Sequence, residues 1–350
     1  MSTIFNYSLT AEQDFELRGS VDRDKQIREC INSILAHEKI SIIGKRGIGK
    51  SFLLLSIRKE ILEKHKTILP NYINFSSGFL SKNNDTNSFV LIMLEKLIYY
   101  IWVDILGNEI TLLYSYEDGK IAKTKLENKI VQLYKLTHTL AEKHEINKQY
   151  QLKATFFVNG GTEREQNKSY TLSTLTRGEF VNLFIELCDD LKNHLTIDTI
   201  VFLCDEANHL SEHIQNEIEV ELINVLPSLP YSFVYVRSIL SERMSNETKY
   251  SFDRIVYLYG FDTYEITKTM IENRITDRNK LIIDDEAYSI VHDATEGSPR
   301  NSLNIISNLV EEKSRNLSDV NPCISISSFD AALACNYFFK SIIYNQREMW

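Results

Sequence analysis

Eight consecutive residues, Gly44-Lys45-Arg46-Gly47-Ile48-Gly49-Lys50-Ser51, satisfy the pattern GxxxxGK[ST], in which each fixed position serves polyphosphate chemistry. Glycines let the backbone curl until successive N–H groups point at phosphate oxygens, and a helix that follows directly presents its positive end to the same anion. Lys50 is then placed to reach the β and γ phosphates. Ser51 is placed to put its hydroxyl on Mg²⁺, a cation that keeps several waters and shares phosphate oxygens. With Phe52 opening the helix, Gly44 to Phe52 form the candidate binding set for ATP with Mg²⁺. Such a loop needs an acid at the end of a neighbouring buried strand. The run Ile200-Val201-Phe202-Leu203-Cys204-Asp205-Glu206 supplies two, Asp205 for the Mg²⁺ shell and Glu206 to polarise the attacking water.

The elements that must hold these groups are legible as an α/β pattern. Helical spacing over residues 20–37 (Val21, Ile27, Ile31, Ile34, Leu35) precedes a short apolar strand at Lys39 to Ile43, the glycine-rich turn, and a helix over Ser51 to Lys66. A second strand is expected at Tyr72 to Phe75 and an apolar helix at Asn87 to Leu106. Between about Gly107 and Thr176 the alternation breaks. A polar helix (Leu126, Ile130, Leu133, Leu140) and a hairpin, Tyr150 to Val158 returning as Tyr170 to Leu175, read as an insertion. A helix over Glu179 to Asn193 leads to the strand Thr199 to Leu203, whose continuous apolarity predicts a buried parallel strand. Short strands follow at Ser232 to Val236 and Ile255 to Leu258. From Thr263 strand signals disappear and helical spacing takes over. The expected fold is a P-loop NTPase parallel-sheet core over residues 1–262, carrying the 107–176 insertion, with a helical lid over 263–350.

That order of P-loop, apolar strand ending in Asp-Glu, further strands and helical lid resembles AAA+ ATPases of the origin-recognition and STAND-like branch. The lid carries the sharper match, in Tyr264-Glu265-Ile266, Arg274, Ile282-Ile283-Asp284 and Ala294-Thr295-Glu296-Gly297-Ser298-Pro299-Arg300-Asn301. The resemblance covers about Arg18 to Ser77 and Leu195 to Phe329. It implies that Arg300 is the second sensor, contacting the γ phosphate, and that Ser238 at the end of SFVYVRS is the first, with Arg237 beside it. It also implies an arginine finger given to a neighbouring subunit, for which Arg243 is the nearest match by position and Arg254 the fallback. Two departures stand out: the arginine beside Ser238 leaves the first-sensor register open by one residue, and Asp22 occupies a position where the family usually has glycine.

Composition narrows the function classes. With 43% hydrophobic and 11% aromatic residues the 350-residue chain has ample material for a core. A net charge of −9 gives no global attraction to phosphate backbones, so charge does not favour nucleic acid as a partner. Five scattered cysteines without a CxxC pair fit neither a disulfide framework nor a zinc site, and the opening MSTIFNYSLTAEQDFELRG lacks an export profile. A cytoplasmic home is therefore expected. Charges at Glu95, Lys96 and Asp104 interrupt the greasiest run, Phe89 to Leu106, which argues against a membrane span. His209 and His213 lack a third ligand, and the basic group Lys143, His144, Lys148 and Lys153 is interspersed with acids; both read as solvated surface.

These features favour an ATP-dependent oligomeric switch, a homo-oligomer joined through the ATP site that recruits or controls a protein effector, with antiviral defence as the context the resemblance implies. The alternative is a DNA-directed ATPase such as a transposition regulator or replication initiator. Initiators of this branch usually append a winged-helix domain after the lid, and only about twenty residues follow Phe329, too few for an independently stable domain. Intact Lys50, Asp205 and Glu206 argue against an adaptor with a purely structural nucleotide.

Overall fold

The structure, a computed structural model, describes residues 22–74, 89–109, 124–142, 151–155, 167–171, 177–205, 226–238, 251–315 and 323–347. Helix α1 (Asp24–Leu35) turns Cys30, Ile31 and Ile34 inward, as its apolar spacing dictates, and leads into β1 (Lys39–Gly44). Helix α2 (Lys50–Lys64) begins after Gly49, whose left-handed conformation caps it, and buries Leu53, Leu54, Ile57 and Ile61. Strand β2 (Ile68–Asn74) follows, then α3 (Phe89–Tyr99), which continues as a π-helical turn over Tyr100–Ile105.

Helix α4 (Lys125–Glu142) starts with a capping box. The Thr124 N–H donates to Glu127 Oε2 (2.9 Å) and the Glu127 N–H to Thr124 Oγ1 (3.1 Å), so two otherwise unpaired donors are satisfied. The expected hairpin is present as β3 (Gln151–Thr155) antiparallel to β4 (Asn167–Thr171), its return strand lying a few residues before Tyr170 to Leu175. Helix α4 is more than an appendage. Its Ile130, Leu133 and Tyr134 share a core cluster with α3 and with α5 (Arg177–Leu195).

The remaining core strands are β5 (Thr199–Asp205), β6 (Ser232–Ser238) and β7 (Arg254–Leu258). Together with β1 and β2 they form one parallel sheet in the order β2-β5-β6-β1-β7. Every residue of β5 is buried, which is why its sequence is apolar on both parities. Helices α1 and α2 cover one face, where Ile40, Ile42, Val201, Leu203, Val234 and Val256 point. Helices α3, α4 and α5 cover the other, against Ile200, Phe202, Phe233 and Tyr235. Parallel strands put all their carboxyl ends on one edge, and there the β1 to α2 loop lies.

The C-terminal part has its own core, built from α6 (Tyr264–Glu272), α7 (Asp285–Thr295), α8 (Pro299–Ser314) and α9 (Ser328–Arg347). It is not purely helical. Strands β8 (Leu281–Ile283) and β9 (Ile324–Ile326) pair in parallel, which corrects the expectation that strands end before Thr263. Three residues are too few for alternation to register, so periodicity could not reveal them. This core already includes Phe261, two residues before the expected boundary. Among the described residues no helix is long and apolar enough to cross a membrane.

Candidate functional site

The chain leaves β1 at Gly44 and reaches α2 through a loop in which Gly47 (φ 83°) and Gly49 (φ 96°) take left-handed conformations. Ile48 buries its side chain in the core and pins the loop from below. Lys50, only 8% exposed at the start of α2, turns back over the loop, where its Nζ donates to Gly44 O (2.9 Å) and Lys45 O (2.8 Å). Burial brings its pKa down to about 8; the Asp205 carboxylate opposes that shift, while the positive charges of Arg300 and Arg46 add to it. The charges of all three side chains act on the Lys50 ammonium. A helix N-terminus, curled glycines and several cations form an environment that favours a polyanion.

Asp205 ends β5 and is 2% exposed. Its Oδ2 accepts a hydrogen bond from Tyr72 Oη at 2.8 Å, across from the adjacent strand β2. Tyr72 carries no local signal of this role, because only the pairing of β2 with β5, Tyr72 opposite Leu203, brings the phenol beside the acid. A buried carboxylate oriented by a phenol, with the half-buried Ser51 in the first turn of α2, fits the ligand set of a hard cation that takes its other ligands from water and phosphate. Among the described residues no group of three or more His, Cys, Asp or Glu could hold a metal alone.

Strand β6 lies between β1 and β5, and Ser238 pairs with Gly44, level with the start of the loop. Arg237 shares the parity of Phe233 and Tyr235 and is buried, which places it on the sheet face away from α2. Arg254 sits at the opposite end of β7, paired with Glu38 (3.1 Å) and Glu29 (3.3 Å). Glu206, Arg243, His209 and His213 lie outside the described residues, as do Lys143, His144 and Lys148.

The lid closes the site from above. Helix α7 ends in two left-handed residues, Glu296 (φ 51°) and Gly297 (φ 65°), and Ser298-Pro299 starts α8, with proline at a position where its missing N–H costs nothing. That turn puts Arg300 on the loop. Its N–H donates to Gly47 O (3.2 Å), and a Cβ on residue 47 would lie 2.7 Å from Arg300 Cβ, so Gly47 is required by both conformation and space. Lys45 points outward and pairs with Glu296 at 2.8 Å, so its side chain serves the lid, while its carbonyl serves Lys50. Phe52 is half-buried in the first turn of α2, and its carbonyl accepts from Ser56 Oγ.

Neither a family model nor a curated protein matches the chain. Solved structures with similar folds include a Walker-type ATPase of Pyrococcus abyssi (TM-score 0.49, 13% identity, 96% of this chain and 78% of that one). The ORC2 protein of Aeropyrum pernix in ADPNP-ADP complexes gives 0.48 at 11% identity over 96% and 71% of the two chains. Domain III of the replication initiation protein DnaA from Thermotoga maritima gives 0.44 at 12% over 96% and 99%. At TM-scores below 0.5 these likenesses carry no argument about activity. The strand order and the loop between β1 and α2 establish the architecture: an α/β P-loop NTPase fold with a second, mostly helical unit packed over the phosphate loop.

Proposed function

We propose that the chain is an AAA+ ATPase that binds and hydrolyses Mg-ATP and uses the nucleotide to switch between assembly states, recruiting or controlling a protein effector, with antiviral defence as its setting. The observation that supports the reading is a glycine loop that opens a helix, with the buried Lys50 ammonium folded back onto Gly44 O and Lys45 O and Arg300 seated on Gly47 O. Bound Mg²⁺ would neutralise charge between the β and γ phosphates, and Ser51 and Asp205 are the residues to hold it. Lys50 would exchange its two carbonyl partners for phosphate oxygens. Arg300 would offset charge on the γ phosphate from the lid side, Ser238 would orient the attacking water from the end of β6, and Glu206, directly after Asp205, would take its proton. A neighbouring subunit would add Arg243, making the cytoplasmic homo-oligomer a consequence of the chemistry.

Measurements on the Glu206→Gln and Arg243→Ala proteins test this. ATP should still bind while multiple-turnover phosphate release falls by about 10²–10⁴, the usual worth of a general base. ATP should also drive higher oligomers in mass photometry, and Arg243→Ala should lower hydrolysis far more than binding. A single monomeric mass with and without ATP, together with full turnover in both variants, contradicts the switch. Salt-dependent binding of duplex DNA would instead favour the DNA-directed reading.

A further inference from the structure

Arg23, just before α1, is 6% exposed although it carries a permanent charge. Its Nη2 donates to Ile48 O in the phosphate loop (3.2 Å) and to Tyr259 O at the exit of β7 (2.9 Å), and its guanidinium lies over the Phe261 ring at 5.0 Å. Ile48 belongs to the loop, Tyr259 to the connector leaving the sheet, and Phe261 to the core of the lid. One side chain therefore touches all three parts. Burial holds its pKa below the usual arginine value, and the carboxylates of Asp22 and Asp262 oppose that shift. Asp22 itself adopts φ 49°, which aspartate tolerates better than most residues and which accounts for its standing where a glycine would serve.

The connector is held just as closely on its lid side. A Cβ at residue 260 would come within 1.9 Å of Glu296 O, so only glycine passes there, and the Phe261 N–H donates to Gly297 O (2.9 Å). Glu296 pairs with Lys45, and the Arg300 N–H reaches Gly47 O. Loop residues 45, 47 and 48 thus each hold a different point on one path, which runs from the loop through Tyr259-Gly260-Phe261 and the Glu296-Gly297 turn to Arg300 and back to the loop.

We infer that Arg23 is a positioning residue that couples the conformation of the phosphate loop to the seating of the lid, and so to the placement of Arg300 over the nucleotide. The inference rests on the nucleotide-binding reading above. Arginine is needed because its planar group can bond carbonyls in its plane while its face covers an aromatic ring, which an ammonium cannot do. Arg23→Lys keeps the charge and is the variant of choice, with Arg23→Gln as the neutral companion.

Two readouts test the coupling. In nucleotide-free protein, Arg23→Lys should speed hydrogen exchange at the amides of Phe261 and Arg300 while leaving those of β1 at wild-type rates. By calorimetric titration with ATP, Arg300→Ala should weaken binding about tenfold in the wild-type background but less than about twofold in the Arg23→Lys background, since residues acting through one another are non-additive. Unchanged exchange at both amides, or equal effects of Arg300→Ala in the two backgrounds, overturns the coupling. A wild-type protein that binds no ATP would remove the nucleotide reading instead, and the exchange data would still decide whether Arg23 seats the lid.

Discussion

The main-chain N–H of Arg300 donates to the carbonyl oxygen of Gly47 across 3.2 Å, so the first turn of α8 is tied to the β1–α2 loop through its backbone. The contact needs residue 47 to lack a side chain, since a Cβ there would meet the arginine's own Cβ at 2.7 Å. Two atoms that close cannot coexist without the lid moving.

Gly47→Ala should therefore displace the lid and weaken ATP binding by about 10–100-fold, the sum of left-handed strain of about 1 kcal/mol and a steric shift of similar size. Gly49→Ala, where a Cβ meets nothing within 4 Å, should carry the backbone strain alone. Calorimetric titration of both variants checks this, and equal losses would contradict a specific Gly47–Arg300 contact.

If Lys50 holds the phosphates, binding and stability should depend on pH with opposite signs. Burial lowers its pKa to about 8 in the free protein, whereas bound phosphates favour the charged form, so binding takes up a proton once the pH exceeds about 8. ATP affinity should be full below that pH and fall above it, by up to about tenfold per unit. The nucleotide-free fold should become more stable over the range from about 8 to the ordinary lysine value, because there the unfolded chain holds a proton that the folded chain lacks. Lys50→Arg, which stays charged, should bind with no such dependence; a matching decline in that variant would assign the titration elsewhere.

Tyr72→Phe removes only the hydroxyl that donates to Asp205 Oδ2. If Asp205 holds the cation, half-maximal turnover should need about tenfold more Mg²⁺, in line with the loss of a group that orients a metal ligand, at little change in ATP affinity measured in saturating Mg²⁺. Turnover at unchanged Mg²⁺ demand would separate Tyr72 from the metal site.

The strand-loop-helix order around Gly44 to Ser51, the strand ending at Asp205 and the start of α8 were legible in the sequence because each has a local cause: fixed glycines, a run apolar on both parities, and Ser298-Pro299 at a helix start. Tyr72 and Arg23 were not legible as site residues. Their partners lie 133 and 236 positions away, and only the parallel order β2-β5 and the packing of the connector bring them together. Lys45 illustrates a third case. Its place in the loop pattern predicts phosphate, but the nearby Glu296 draws its side chain to the lid. The pair β8 and β9 escaped because two three-residue strands leave no period to read.

In the proposed mechanism Lys50 is the mobile cation of an ATP site. Calorimetric titration of Mg-ATP into wild-type and Lys50→Ala proteins, each checked for folding by its thermal transition, tests it most directly. Saturable one-site binding in the wild type that falls at least about 100-fold in the variant, about 2.7 kcal/mol or more, is the predicted result. Equal affinity in a folded Lys50→Ala protein, or no ATP binding by the wild type, would contradict it.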